Sequence, residues 1–423
     1  MEVLNFSSKR EQNEIHFDYA EREKIQGLKN LNVPNKGNVP RLRFPEFTED
    51  WVRSTIGKCC NELEYGMNAA AKEFDGVNKY IRITDIDEKS STYKNDDIVS
   101  PDGDLDDKYI VRENDILFAR TGASTGKTYI YNPNDGVLYF AGFLIRANVK
   151  THYDSKFIYQ QTKLSRYSKW VNIMSARSGQ PGINSQEYST YKLFLPTIEE
   201  QKKVSDFINL LDKRIATQNK IIEDLKKLKV AIIENAFCGK HYNYKIGDII
   251  TQISNRNKSN KETNVLSVSN KLGFVEQSEQ FEDRTVASDD VTNYKIVRAN
   301  DFAYNPARIN VGSIARLKQY ESGVVSPMYI CFHTKKNVMP KYLEMFFLTQ
   351  YFKHEMYKRL EGSVRLCLSF KGLTNIPIFI PEIPLQKEIS EKILAFETKI
   401  GIEEHYLNAL EKQKQYLLQQ MFI

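Results

Sequence analysis

The stretch LFLPTIEEQKKVSDFINLLDKRI (193–215) is written again as IFIPEIPLQKEISEKILAFETKI (378–400), with Pro196 on Pro381 and Gln201 on Gln386, 185 positions apart. At the same offset DSKFIYQQTKLSRYSKW (154–170) falls on MPKYLEMFFLTQYFKHE (339–355), and Phe237 falls on Phe422. Upstream the offset drifts by up to five residues, as loops allow. YIVRENDILFAR (109–120) resembles YKIVRANDFAYNPAR (294–308), and IGKCC (56–60) resembles IGDII (246–250). The chain is therefore two copies of one unit, each a mixed region followed by a helix. Two large copies exclude a solenoid, which needs shorter and more numerous repeats. They suggest pseudo-twofold symmetry.

The helices carry the clearest physical signal. Val204, Ile208, Leu211, Ile215, Ile222, Leu225 and Ile232 step by alternating fours and threes, with Gln218 and Lys229 in the two empty seam places. Ile389, Ile393, Phe396, Ile400, Leu407, Leu410 and Leu417 repeat the pattern, with Glu403 and Lys414 at the matching gaps. A 3.5-residue period over four heptads specifies a supercoiled seam, and polar residues at matching seam positions can fix its register. Two ordinary core helices, or pairing between chains, would also use such stripes. Because both seams follow equivalent regions of one chain, the pattern favours an antiparallel intramolecular coiled coil. Each helix would be about 57 Å long, a spacer between two globular copies.

The rest of each copy is α+β. YIRITDI (80–86), KYIVREND (108–115), KTYIY (127–131), VLYFAGFLIR (137–146) and YKLFLP (191–196) read as strands, with a helix near 154–172. The second copy offers NVLSVS (264–269), VVSPMYICFH (324–333) and NIPIFIP (375–381), with a helix at 340–360. The divisions are an N-terminal extension (1–38), a first mixed domain (39–198), a central helix (199–240), a second mixed domain (241–385) and a distal helix (386–423). Hydrophobic content of 41% and charge of 27% describe a soluble globular chain. No apolar run approaches the ~18 residues of a membrane span, and MEVLNFSSKREQNEIHF is too polar for a signal peptide. Five cysteines without metal spacing, and six scattered histidines, fit a reduced cytoplasmic protein with no metal site.

The net charge of +6 is unevenly placed. Residues 241–385 carry 19 basic against 14 acidic side chains, and residues 41–198 carry 21 of each. Nine of those acids lie in Asp85–Asp107 beside only two bases, so the remainder of that domain is basic. A basic surface beside a segregated acidic segment suits a polyanion on one face, although solvated charged faces are commoner. Two pairs of loops sharpen this reading. ARTGASTGK (119–127) and PARINVGS (306–313) follow a strand at equivalent places. ARSGQPGIN (176–184) and EGSVRLCLS (361–369) sit between the helix and the last strand. Arginine reads guanine bidentately, and serine, threonine and asparagine contact phosphates or adenine. The candidate DNA contacts are thus Arg82, Arg120, Thr121, Ser124, Lys127, Arg177, Ser178 and Gln180 in the first copy, and Asn305, Arg308, Asn310, Ser313, Ser363 and Arg365 in the second. Taken singly, each loop could be an ordinary turn; recurrence with altered side chains argues for recognition tuned to two targets.

Catalytic lookalikes fail on spacing. GASTGKT (122–128) is one residue short of a phosphate loop, and the second copy has VGSIA there. In PDGDLDDK (101–108) only three residues separate Asp102 from Asp106, too few to bring two strands' acids to one cation. NPND (132–135) and NPAR (305–308) lack the second proline of an adenine methyltransferase N-P-P-aromatic motif. No catalytic or cofactor-binding constellation survives.

From residue 39 onward the chain resembles the specificity subunits of type I restriction–modification systems. The resemblance rests on NVPRLRFPEFTEDW (38–51), on Trp51-x-x-x-x-Ile56-Gly57, and on the two copies of the L/I-P-x-x-x-E-Q-x-x-I phrase. The second copy departs from it, with Leu385 where Glu200 stands. The resemblance implies two target recognition domains, each reading one half of a split double-stranded DNA target, held apart by the paired helices. It implies two partner modification subunits that bind S-adenosylmethionine and methylate adenine. It further implies two restriction subunits that use ATP and Mg to translocate and cleave, with no cofactor in this chain and no membrane. A stand-alone methyltransferase or nuclease would need motifs that are missing; a coiled-coil adaptor without a DNA role leaves the duplicated loops unexplained.

Overall fold

The computed structural model describes residues 38–176, 180–270, 272–277, 290–363 and 365–423. The chain folds as two compact units, one running to Thr217 and rejoined by Leu407–Ile423, the other Gln218–Tyr406. The division falls inside both long helices, Ile198–Phe237 and Ile383–Met421, so each unit owns half of each. Every seam position named above is buried or half-buried. The seam is antiparallel: Asp212 meets Lys414 (2.5 Å) in the first unit, and Glu397 meets Lys229 (3.8 Å) in the second. These two ion pairs join equivalent residues. Gln218 Nε2 donates to the carbonyl (3.1 Å) and carboxylate (2.5 Å) of Glu403, its own equivalent. Polar seam residues that satisfy one another fix register at little cost.

Within each unit an antiparallel four-stranded sheet carries the loops of interest. In the first its order is Cys60–Tyr65, Leu144–Val149, Asp115–Ala119, Thr128–Ile130; in the second it is Ile250–Ile253, Ile330–Thr334, Phe302–Tyr304, Ile314–Arg316. The repeated R-x-N-D motif turns the chain into the third strand of each list. Asn114 (φ 69°) and Asn300 (φ 72°) take the left-handed conformation that asparagine tolerates. The amides of Arg112 and Arg298 donate to Asp115 and Asp301 (2.8 Å each). That turn is why KYIVREND is not one strand: only Asp115 belongs to the sheet. VLYFAGFLIR likewise splits into Leu138–Phe140 and Leu144–Val149 around a turn. The single helices expected near 154–172 and 340–360 are each two, Ser155–Gln161 with Ser165–Ser175, and Pro340–Phe346 with Gln350–Tyr357. Thr162 and Thr349 cause the breaks, their hydroxyls turning back to Tyr159 and Phe346 carbonyls (2.7 Å).

The duplicated phrase has a mechanical role. Gln201, 2% exposed, donates to the Pro196 carbonyl (2.9 Å) and accepts from the Asp154 amide (3.1 Å). Gln386, fully buried, donates to the Pro381 and Asn337 carbonyls (2.7 and 3.0 Å) and accepts from the Met339 amide (2.8 Å). Each glutamine therefore pins the start of a long helix to the end of the last strand and to the start of the domain's own helix pair. Phe157 and its equivalent Tyr342 complete the joint from below. Phe157 packs on Trp51 and Phe422, and Tyr342 packs on Phe237. Each domain thus receives the far end of the other copy's helix.

The departure at Leu385 coincides with a difference in burial between the copies. Glu200, 1% exposed, takes a bidentate pair from Arg43 (2.8 and 2.7 Å) and a bond from Trp51 Nε1 (3.3 Å). Both donors come from the segment that precedes the first strand of the first domain, Val52–Thr55. Before the second domain the chain is helical to Phe237, and Leu385 itself is 44% exposed, so that position holds no buried carboxylate in need of a partner.

Replacing Gln201 or Gln386 with alanine leaves buried backbone groups without partners, at about 1–3 kcal/mol per site. Urea unfolding is expected to show comparable losses for the two variants. A loss at one site and none at the other would contradict the shared role.

Candidate nucleic-acid interface

The two loops singled out in the first copy meet in space. Thr121 forms an antiparallel bridge with Gly182, the Gly122 amide donates to the Pro181 carbonyl (2.9 Å), and the Ile183 amide donates to the Arg120 carbonyl (2.9 Å). Gly122 suits this place because its φ is +66°, a left-handed conformation that glycine adopts without strain. The second copy brings its loops together the same way, the Leu368 amide donating to the Pro306 carbonyl (3.0 Å). The helices that follow, Ser185–Ser189 and Phe370–Thr374, are capped by Asn184 and Ser369, again equivalent residues. One scaffold thus carries two differently lettered surfaces.

The letters differ in posture. Arg120 is half-buried, its guanidinium carbon 4.9 Å from the centre of the Tyr65 ring. Tyr65 closes the sheet strand beside it, and its hydroxyl accepts from both the amide and the hydroxyl of Ser185 (3.2 Å each). Arg120 is therefore held from below by a cation–π contact, with donors left for a ligand. Partial burial pulls the Tyr65 phenol up, but the Ser185 bonds and the charge of Arg120 outweigh it and hold the group below its ordinary value. Gln180 is exposed, and Thr121, Ser124 and Lys127 are half-buried along the same rim. In the second copy Arg308, Ser363 and Arg365 are exposed and Asn310 is half-buried. Arg365 stands at the tip of a small loop closed by paired backbone bonds between Glu361 and Cys367 (2.9 and 2.8 Å). Asn305 is partly used within its loop, its side-chain Oδ1 accepting from the Ala307 amide (3.0 Å). Arg177 and Ser178 lie outside the described residues.

Two of the expected contacts already have partners within the chain. Arg82 is clamped by Asp85 through two bonds of 2.8 Å and by Asp97 at 3.0 Å, so its fork is already filled by carboxylates. Ser313 is 4% exposed and donates to the Val268 carbonyl (3.2 Å), which ties the loop to the neighbouring sheet. Sequence reasoning missed Tyr65, whose signal was weak: an aromatic at the end of a strand with no partner visible in sequence. Among the described residues no three His, Cys, Asp or Glu side chains gather as metal ligands, and no helix is long and apolar enough to cross a membrane.

Residues 48–227 match the family model described as the type I restriction modification DNA specificity domain. Over 412 residues the chain is 23% identical to the type I restriction enzyme MjaVIII specificity subunit of Methanocaldococcus jannaschii, covering 89% of this chain and 92% of that one. The MjaX specificity subunit of the same organism is 22% identical, covering 92% and 96%. Among solved structures, the type I restriction-modification S subunit from M. genitalium superposes with a TM-score of 0.55 at 14% identity, covering 91% and 99%. A chain from a structural study of type I R-M complex assembly and conformational transition superposes with 0.53 at 14% identity, covering 89% and 98%. These two likenesses concern the fold.

The difference in ultraviolet titration between the intact chain and Tyr65→Phe is expected to show one phenol ionising below the usual value of about 10. In an Arg120→Ala background that phenol should ionise at higher pH. An unmoved titration would mean that the two side chains do not interact.

Proposed function

We infer that this chain is the DNA sequence-specificity subunit of a type I restriction–modification complex. The observation that carries the reading is the pair of joined loops, repeated on one scaffold with different side chains, in a chain similar to such subunits over about nine-tenths of its length. Each domain reads one half of a split target in double-stranded DNA. Arg120, Gln180, Arg308 and Arg365 present donors to base edges, with Arg177 added from the sequence. Thr121, Ser124, Lys127, Ser178, Asn305, Asn310 and Ser363 supply backbone and phosphate contacts that set register. The chain works in the cytoplasm and carries out no chemistry itself. Two modification subunits, holding S-adenosylmethionine, methylate adenine within the target. Two restriction subunits, using ATP and Mg, join the complex to cleave unmodified DNA.

Mapping methylated adenines in a host with and without this gene tests the reading directly. Arg120→Ala should cost discrimination in one half-site, and Arg308→Ala or Arg365→Ala in the other, by about 1–3 kcal/mol each. Equal weakening on specific and random DNA would make these phosphate contacts instead.

The paired helices set the spacing of the half-sites. One heptad inserted into both helices at facing points keeps the seam in phase and adds about 10 Å, or about three base pairs. The mapped target should keep both half-sequences and widen its gap. An active variant with the old gap would show that another element sets the distance.

A further inference from the structure

Resting on that reading, we propose that Phe143 and Met328 are specificity-determining residues that read thymine methyl groups, one in each half-site. They are equivalent, 185 positions apart, and each stands third in a turn joining two strands. The turns are closed by the same bond, Leu144 amide to Ala141 carbonyl (2.8 Å) and Tyr329 amide to Ser326 carbonyl (3.0 Å). Phe143 is 57% exposed and Met328 60%. A single exposed apolar residue is ordinary. Two at one position of a duplicated scaffold are a different matter, because a turn tip readily accepts small polar residues.

Their surroundings name the ligand. The Phe143 carbonyl accepts from the Arg120 amide (3.0 Å), so the backbone that carries the ring is joined to the backbone that carries the first base reader. Met328 Sδ lies 3.6 Å from the side-chain nitrogen of Asn305, the residue equivalent to Arg120. In both copies one large apolar residue is thus tied to the first residue of the reader loop, through the backbone in the first copy and side chain to side chain in the second. The one apolar feature on the major-groove edge of a base pair is the 5-methyl group of thymine, which side chains such as phenylalanine contact. The change from a flat ring to a flexible thioether between copies fits two half-sites of different sequence.

The test uses the assembled complex and duplexes carrying its mapped target, with thymines replaced one at a time by deoxyuridine, which lacks only the methyl group. In each half-site one replacement is expected to weaken binding about fourfold, the worth of one buried methyl. Phe143→Ser should abolish the effect in its own half-site and leave the other profile intact, Met328→Ser the reverse, and Phe143→Leu should retain part of it. Matching thermal unfolding curves establish that the variants are folded. The proposal is overturned if no thymine responds, if the serine variants keep the profile, or if they lose specific and random DNA alike. Normal DNA discrimination with failed subunit assembly would make these protein-docking residues and overturn it too. A complex that fails to tell its mapped target from random DNA would instead sink the specificity reading itself.

Discussion

One buried amide in each copy holds the architecture together. Gln201 and Gln386 each sit where three chain segments converge: the end of the last strand, the start of the domain's helix pair, and the first turn of a long helix. A side chain with both a donor and an acceptor is needed at that junction, because the groups to be satisfied include a carbonyl and an amide. A carboxylate could not donate, and an aliphatic residue would leave both buried groups unpaired. The direction of each helix relative to its own domain follows from this joint, and the seam then continues what the joint begins.

The two copies differ where their covalent contexts differ. The segment before the first strand brings Arg43 and Trp51 to the buried Glu200, whereas the equivalent Leu385 is exposed. The reader loops diverge for another reason. Their backbone bonds to one another, such as Ile183 to Arg120 and Leu368 to Pro306, do not involve side chains. The scaffold is therefore indifferent to which residues point outward, and recognition can change without disturbing the fold. Tyr65 shows the exception, an aromatic strand end enlisted to steady one particular arginine.

Much of this was legible in the chain because it depends on local periodicity and on repetition. The seam from Val204 to Ile232, and its copy from Ile389 to Leu417, follows from spacing alone, and duplication told which turns and strands must correspond. What spacing could not reveal was interruption by single side chains. Thr162 and Thr349 break helices whose hydrophobic pattern runs on, and the turns at 141–144 and 326–329 cut what reads as one apolar strand. Arg82 and Ser313 had the right chemistry for DNA contacts but the wrong neighbours, a carboxylate clamp in one case and a buried carbonyl in the other.

The sequence by itself determined two copies of an α+β unit, two long helices with complementary polar seam positions, and loops rich in base-reading side chains. Period and repetition are properties of the chain, so they need no folding to be seen. Only the tertiary structure decided which of those side chains remain available. It decided as well that Phe422 packs on Phe157 and Phe237 on Tyr342, so that each copy's helix ends in the other copy's domain. Availability and long-range packing depend on which distant groups arrive at the same place, and a carboxylate 15 residues away or a ring 265 residues away leaves no mark on the local pattern.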